Sequence, residues 1–509
     1  LSAGASRIDN SIRSLSSSGD DLVNPDLWVI NNFKEIISTQ GISDRRLNSL
    51  FSTLNGSWDN KLYLNLTFRN DWSSVLPKVN RSFSYWSSNL SWIISNSWKN
   101  FPKAIDFAKL RLSIAKVGNA NSLTTSALFF NYTPSTGHLG QPFTRLPRIG
   151  PNSYIKPETT LAYELGFDFR LFKGRLNIDT SLYQNDSYNQ IFTAPVASTT
   201  GFQKQWINSG SIRNRGVEII LKSDLINTSN FRWNMIVNGS ANDNEVLELS
   251  EDLPILILGG SRSGISVQAR TNYRSDLLVG SKFLKNESGQ YILDEFNLPQ
   301  IERDENGNSD FILGHVQPDY MIGFINSLDY KNLSIYFSID SQFGGSIFSS
   351  SYAAGSAVGT LQNTIEGRKN WVDSENAREE LGYTQQEWIA TGGIPMSGVD
   401  EDGNQVSVFL EPERYWSRLS GVNQANVFDS SFIRVKEISI SYNLPKRYFE
   451  NLFLESASIS VFGSNLGYIM RKTEGFSPQS SLSSGKAQGI ESYAFPTTRS
   501  IGAKIMINI

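Results

Sequence analysis

The stretch RDENGNSD, residues 303–310, places oxygen-bearing side chains at every second position: Asp304, Asn306, Asn308 and Asp310. Alternate oxygen ligands around a glycine turn are what a calcium ion requires. Here Gly307 is displaced from the expected place and no glutamate follows at the distance a bidentate ligand needs. A plain Asn-Gly turn explains the same residues, and VDEDGNQ, residues 399–405, reads as a simple hairpin turn. No metal is assigned. The two histidines, His138 and His315, stand far apart and lack zinc-ligand spacing. With no cysteine there is no disulfide, thiolate metal site or cysteine nucleophile. No phosphate-cradling loop, dinucleotide fingerprint or nucleophile elbow is present. Catalysis has no anchor, so the expectation is a protein that is not an enzyme and carries no cofactor.

Binding has better candidates. Tyr132, Phe143, Trp371, Tyr415, Trp416, Tyr468 and Phe476 are rings set in polar, Gly- and Ser-rich segments. Rings so placed can stack on sugars, grip peptide side chains or seat a covering protein. They can equally pack the segments against each other. A second group, Glu164, Asp168, Arg170, Asp179, Lys222 and Asp340, consists of charged residues alternating with apolar ones. These are expected to line a polar interior, most of them satisfying one another.

The elements that position both groups are strands. In KLYLNLTFRNDW the apolar set Leu62, Leu64, Leu66, Phe68 alternates with Lys61, Asn65, Thr67, Arg69. LAYELGFDFRLF, RLNIDTSL, LSIYFSID and EISISYNL keep the same beat, as does the terminal run from Ile501. A period of two means one dry face and one wet face. Roughly thirteen such strands are read, mostly about 9–14 residues long, which suits tilted membrane-spanning strands. Sustained helical periodicity is absent.

Alternation alone does not distinguish a soluble sandwich from a membrane barrel; the connections do. Short turns at Asp59-Asn60, Lys173-Gly174, 226–230 and Lys331-Asn332 alternate with long polar segments near 118–156, 195–203, 250–318, 346–428 and 468–492. Such sorting is typical of outer-membrane barrels. Aromatics gather at both ends: Trp58, Phe172, Phe231 and Tyr330 by the short turns, and Trp72, Tyr183, Tyr188, Phe192 and Phe343 by the long segments. Two interfacial girdles account for both sets. The apolar rows at 62–68, 176–182 and 333–339 hold no charge. Apolar residues are 39% and aromatics 12%, with net charge -3 and pI near 5.7. That balance gives no reason for a nucleic-acid partner.

Several segments in order then resemble a known family. These are RLNSLFSTLNGSWDNKLYLNLTFRNDWSS, LRLSIAKVGNA, PETTLAYELGFDFRLFKGRLNIDTSLYQNDS, INSGSIRNRGVEIILKSDLI, QPDYMIGFINSLDYKNLSIYFSIDSQFGGSIF, FIRVKEISISYNLP and SVFGSNLGYI. Together they resemble the C-terminal barrel portion of a SusC-like TonB-dependent outer-membrane transporter, over most of residues 45–509. Asn70, Asp71 and Trp72 depart from the family's Arg-Asp-Gly-Ser-Ser pattern, and Ile509 stands where such barrels commonly end on an aromatic.

The resemblance implies an all-β, transmembrane antiparallel barrel of roughly 22 strands with a plugged lumen. Residues 1–46 then read as an extracellular loop or loop remnant, and 47–509 as the C-terminal part of the barrel. It implies active import of a nutrient, an oligosaccharide or a peptide, across the outer membrane of a Gram-negative bacterium. It also implies a SusD-like lipoprotein lid, pairs of transporter and lipoprotein that can dimerise, contact with outer-membrane lipids, and the TonB complex acting through a plug. No plug or TonB-contact segment is recognised here, and an odd strand count does not close on itself. The remaining N-terminal part is therefore expected on another segment. The alternatives are a surface-exposed β-rich binding protein or adhesin without transport, and a glycan-active enzyme needing a carboxylate pair across a cleft. Ile178→Arg is expected to block assembly where Asp179→Asn is tolerated.

Overall fold

The computed structural model describes residues 1–98, 100–120, 142–250, 253–260, 263–448, 454–481, 485 and 488–508, together with the short strand 133–136; for 133–136 and 142–145 it describes the backbone alone. Fourteen strands form one sheet in strict sequence order, each antiparallel to the next. They are β1 (Ser2–Leu22), β2 (Phe33–Trp58), β3 (Leu62–Ser73), β4 (Ser82–Ile93), β5 (Ile105–Asn119), β6 (Glu158–Leu171), β7 (Leu176–Tyr188), β8 (Ser211–Asn227), β9 (Phe231–Glu248), β10 (Tyr320–Tyr330), β11 (Leu333–Phe343), β12 (Phe432–Asn443), β13 (Ser456–Arg471) and β14 (Ser500–Asn508). The even count corrects the expected thirteen, and with it the parity argument, because β1 and β14 now run in opposite directions.

The extra strand comes from residues 1–46, expected to be a loop. Ser2 to Leu22 pair with Thr53 back to Phe33, whereas β3 accompanies β2 only as far as Leu47. The first residues of β1 are therefore wall, and 9–46 form a two-stranded ribbon rising beyond it. Ser- and Arg-Asp-rich alternation hid this hairpin: it has no dry face, and its cross-strand ion pairs are Arg13–Asp44 at 2.8 Å, Arg46–Asp9 at 2.6 Å and Lys34–Asp21 at 3.6 Å.

The wall strands lean. Leu62, the first residue of β3, connects by direct register through Trp92, Leu110, Phe167, Thr180, Ile219 and Gly239 to Ile322, two residues from the far end of β10. Climbing from one rim to the other across eight strands is the stagger of tilted barrel staves. Tight turns close one rim: Asp59 and Asn60 take φ of 51° and 50°, the left-handed pair that a two-residue hairpin needs. Trp58, Phe172 and Tyr330 stand there, all more than half exposed. At the other rim Tyr320 stacks on Phe343 at 4.9 Å between ring centres.

The core sits in the long loops, not behind the wall. Outward apolar residues stay exposed, among them Phe68 at 52%, Ile440 at 47% and Val461 at 54%. The buried residues Ile265, Val267, Leu278, Val316, Phe348 and Ile490 form one cluster drawn from three separate loops. Leu293, Leu298, Met396 and Leu410 form another. A wall whose apolar rows face away from every core is a wall against lipid. No helix of the described residues is long and apolar enough to cross a membrane. One outward polar side chain, Asn326, is sheltered by Trp233, whose indole N–H donates to its Oδ1 at 2.9 Å.

Among the described residues the loops also hold three α-helices, α1 (Ser350–Ala357), α2 (Arg368–Leu381) and α3 (Pro412–Ser420). Each is too short for its period to stand out from the sequence. The chain leaves β11 for this module through Gly344 and Gly345, at φ of 76° and 79°; a Cβ on Gly345 would stand 2.7 Å from the Val316 carbonyl. Gly345→Val is expected to cost roughly 1–3 kcal/mol in backbone strain alone. Hydrogen exchange would show it as lost protection of residues 346–349 while the wall strands keep theirs.

Candidate functional site

The concave face of the wall is a connected polar ladder. Asn65 donates to Asn55 at 2.6 Å, Asn89 to Asn65 at 3.1 Å and Ser113 to Asn89 at 2.6 Å. Further round, Ser181 donates to Glu164 at 3.0 Å and Arg111 pairs with Asp179 at 2.6 Å. Asp340 takes both arms of Arg434, at 3.0 and 2.6 Å. Arg170 lies over the Phe107 ring at 5.0 Å. Asp168 faces Lys109 in register. Lys222 is exposed with no ion pair among the described residues. The register therefore sets Glu164, Asp168, Arg170, Asp179, Lys222 and Asp340 all on the face opposite the apolar rows.

Two members of the expected girdles stand elsewhere. Tyr183 is opposite Glu164 and Gly216, on the concave face, and its hydroxyl donates to Asn242 at 3.0 Å. Gly216 is needed there, since a Cβ would run into the Ala241 backbone carbonyl as well as meet the Tyr183 hydroxyl at 2.6 Å. Phe192 lies in a short loop strand, Ile191–Pro195, and lines a cavity. Aromatic type marked both residues, but parity and a strand break decided their places.

That cavity, about 590 Å³, opens where β7 and β8 meet the loop module. Its apolar side is Phe192, Leu249, Leu256, Leu258 and Val316; its polar side includes Gln190, Lys204, Asp276 and Gln317. A second hollow of about 610 Å³ lies on the concave wall beneath, lined by Glu164, Tyr183, Asn185, Glu218 and Asn242. Ser187 and Asn214 line both, so the two adjoin. One buried knot fixes the cavity floor. Asp276, 6% exposed, accepts from Arg274 Nε at 3.1 Å, Asn244 Nδ2 at 3.3 Å and the Gln317 amide at 2.6 Å. His315 does not line the cavity and faces Asp319 at 3.1 Å. Lys204, Leu249 and Leu256 were missed in the sequence, because they come together only when two loops close on one another.

The loop rings largely pack. Tyr468, expected in a loop, stands instead in β13; its hydroxyl shares a hydrogen bond with Ser477 at 2.9 Å and its ring lies edge-on to Phe432, while Phe476 meets Phe428 at 5.3 Å. Tyr415 lies against the Leu293 cluster and edge-on to Trp416 at 5.2 Å. Burial raises the Tyr415 pKa. Trp416 leaves its indole N–H buried without a partner among the described residues. Trp371 is half-buried against Gly393. Tyr132, His138, Ile509 and the side chain of Phe143 lie outside the described residues.

The 303–310 stretch is a turn. Asp304 Oδ1 accepts the amides of Asn306 at 2.9 Å and Asn308 at 2.7 Å, and the bonds from Asn308 hold its pKa down. Asp400 repeats this with Asp402 and Asn404, Asp294 with Phe296 and Leu298. The fourth residue of each is left-handed: Gly307, Gly403 and Asn297. No group of three or more His, Cys, Asp or Glu that could hold a metal occurs among the described residues.

Residues 8–247 match the family model described as TonB dependent receptor-like, beta-barrel. TonB-dependent receptor P26 of Formosa agariphila is 26% identical over 447 residues, covering 84% of this chain and 42% of its own length. TonB-dependent receptor SusC of Bacteroides thetaiotaomicron is 25% identical over 459 residues, 85% of this chain and 41% of its own. Among solved structures, the RagAB peptide transporter superposes with a TM-score of 0.76 at 16% identity, over 99% of this chain and 52% of that one. The chain thus matches less than half the length of these two curated relatives.

Proposed function

From the premise that this chain is part of an outer-membrane β-barrel of the SusC-like, TonB-dependent receptor kind, we propose that it forms the barrel wall and loop mouth of an active nutrient importer. The nutrient is an oligosaccharide or a peptide too large for general porins. It is captured at the loop cavity and passed down the polar concave wall. TonB drives release through a plug, and a SusD-like lipoprotein covers the loop side. The observation that carries this reading is that the loop cavity and the wall hollow adjoin at Ser187 and Asn214. A binding protein or adhesin has no use for a polar path leading away from its mouth.

The test narrows that path. Asn214→Trp in the whole transporter is expected to bring uptake of the supporting nutrient to background while the heat-modifiable band shift of a folded barrel persists. Normal uptake through the filled junction would sink the proposal. Growth on defined peptides against defined oligosaccharides as sole nutrient, with and without the gene, separates the two substrate classes. Co-purification of a surface lipoprotein tests the lid.

A further inference from the structure

The outward face has a dent at Ser88. Ser88 of β4 lies in direct register between Leu66 of β3 and Ile114 of β5. A small side chain between two large ones leaves a groove of about 480 Å³, walled by Leu90, Leu112, Ile114, Tyr163 and Leu182. The lining is overwhelmingly apolar and lies on the face the barrel turns to lipid. Lys116 stands two residues from Ile114 on the same face, about 7 Å further toward the long-loop rim. It is flanked in register by Trp86 and Leu161. Trp86 is 40% exposed and marks the interfacial level where indole rings settle. Lys116 is exposed and has no ion pair among the described residues. The next outward carboxylate across the sheet, Asp186, is taken by Arg213 at 2.8 Å. An unpaired ammonium directly above an apolar groove at the bilayer boundary matches a phosphate above an acyl chain.

We propose that the outward face between β4 and β7 holds one phosphate-bearing lipid of the long-loop leaflet, its acyl chain in the groove at Ser88 and its phosphate on Lys116. The occupant is a lipid rather than a protein because the groove continues the lipid-facing rows without a border of polar residues on its lower side. Binding here is independent of import.

The test uses the whole assembled transporter, released from bilayers holding equal amounts of a phosphate-bearing lipid and a neutral lipid with the same acyl chains. Native mass spectrometry counts retained lipid. The unaltered protein is expected to keep one phosphate-bearing molecule in preference to the neutral one. Lys116→Gln should reduce that lipid about fivefold, the attraction of one lysine near a membrane surface, and leave the neutral lipid as it was. Ser88→Leu fills the groove and should reduce both, with Ser88→Ala as the control that does not. The heat-modifiable band shift confirms that each variant is folded. Equal retention by all four proteins, or retention without preference for phosphate in the unaltered one, overturns the proposal.

Discussion

Leu165→Arg is expected to keep the chain out of the outer membrane, whereas Asp179→Asn on the adjacent strand is expected to assemble normally. Leu165 stands halfway along β6, on the outward face, directly between Leu112 and Leu182. Every neighbour it has in that row is aliphatic, and its height on the strand puts it near the bilayer midplane. An arginine there costs about 2–4 kcal/mol in a barrel wall, against a total stability of about 5–15 kcal/mol for a typical protein. Ile178, only two residues past the first residue of β7, stands nearer the short-turn rim. Its arginine variant is expected to be impaired less, since the penalty falls toward the interface. Asp179 points the other way and is half-exposed, holding Arg111 at 2.6 Å. Asparagine keeps an acceptor for that guanidinium, and Glu164 and Asp168 remain near it, so the loss is about 0–1 kcal/mol. Outer-membrane fractionation with the heat-modifiable band shift measures all three. Equal damage at Leu165 and Asp179 would mean that the faces have been assigned wrongly.

Glu491→Gln is expected to release the last long loop from the rest of the loop module. Glu491 is 1% exposed and has no ion pair among the described residues; its two oxygens accept four hydrogen bonds. Oε2 takes the Ser349 hydroxyl at 2.6 Å and the Ser351 amide at 3.1 Å; Oε1 takes the Ser351 hydroxyl at 2.7 Å and the Ala494 amide at 2.9 Å. Whichever oxygen becomes an NH2 group, it faces a backbone amide that can only donate. A buried donor left unsatisfied costs about 1–3 kcal/mol. The strand Ile490–Glu491, which lies parallel to Ser346–Ser349, loses its hold with it. Hydrogen exchange referenced to intrinsic rates should show faster opening of residues 346–351 and 490–494 than of the wall. Unchanged protection would remove Glu491 from this role.

The same group makes the latch pH-dependent. Burial pushes the Glu491 pKa up, but the hydroxyl and amide donors outweigh it and leave the pKa below the ordinary glutamate value of 4.5. A lowered folded pKa contributes stability above the unfolded value and loses it as pH falls through the folded one. The latch is therefore expected to hold from neutral pH down to about 4.5 and to weaken below that. The glutamine variant should lack this acid-dependent step.

Much of the wall was legible because period-two alternation against lipid leaves a mark on every second residue. Leu62 to Phe68, Leu161 to Leu171 and Leu333 to Ile339 each name their own faces. The ribbon at 9–46 was not legible, since both its faces are wet and nothing selects one over the other. Tyr183 and Phe192 were assigned by type to the membrane interface, yet a hydrogen bond to Asn242 and a place in a loop strand put them inside. The rings were visible as rings, but whether Tyr468 or Phe476 would meet a ligand or Phe432 and Phe428 depended on partners tens of residues away.

What the sequence determined by itself is the membrane wall: alternation, turn chemistry and the absence of charge on the dry rows are local properties, and lipid is a uniform partner that any apolar row can meet. What only the tertiary structure decided is the mouth. The cavity at Phe192, Lys204, Leu249 and Asp276, and the latch at Glu491, need loops far apart in the chain to close on one another. No local pattern encodes that, because each contact is set by the shape of a partner rather than by the residue's own neighbours.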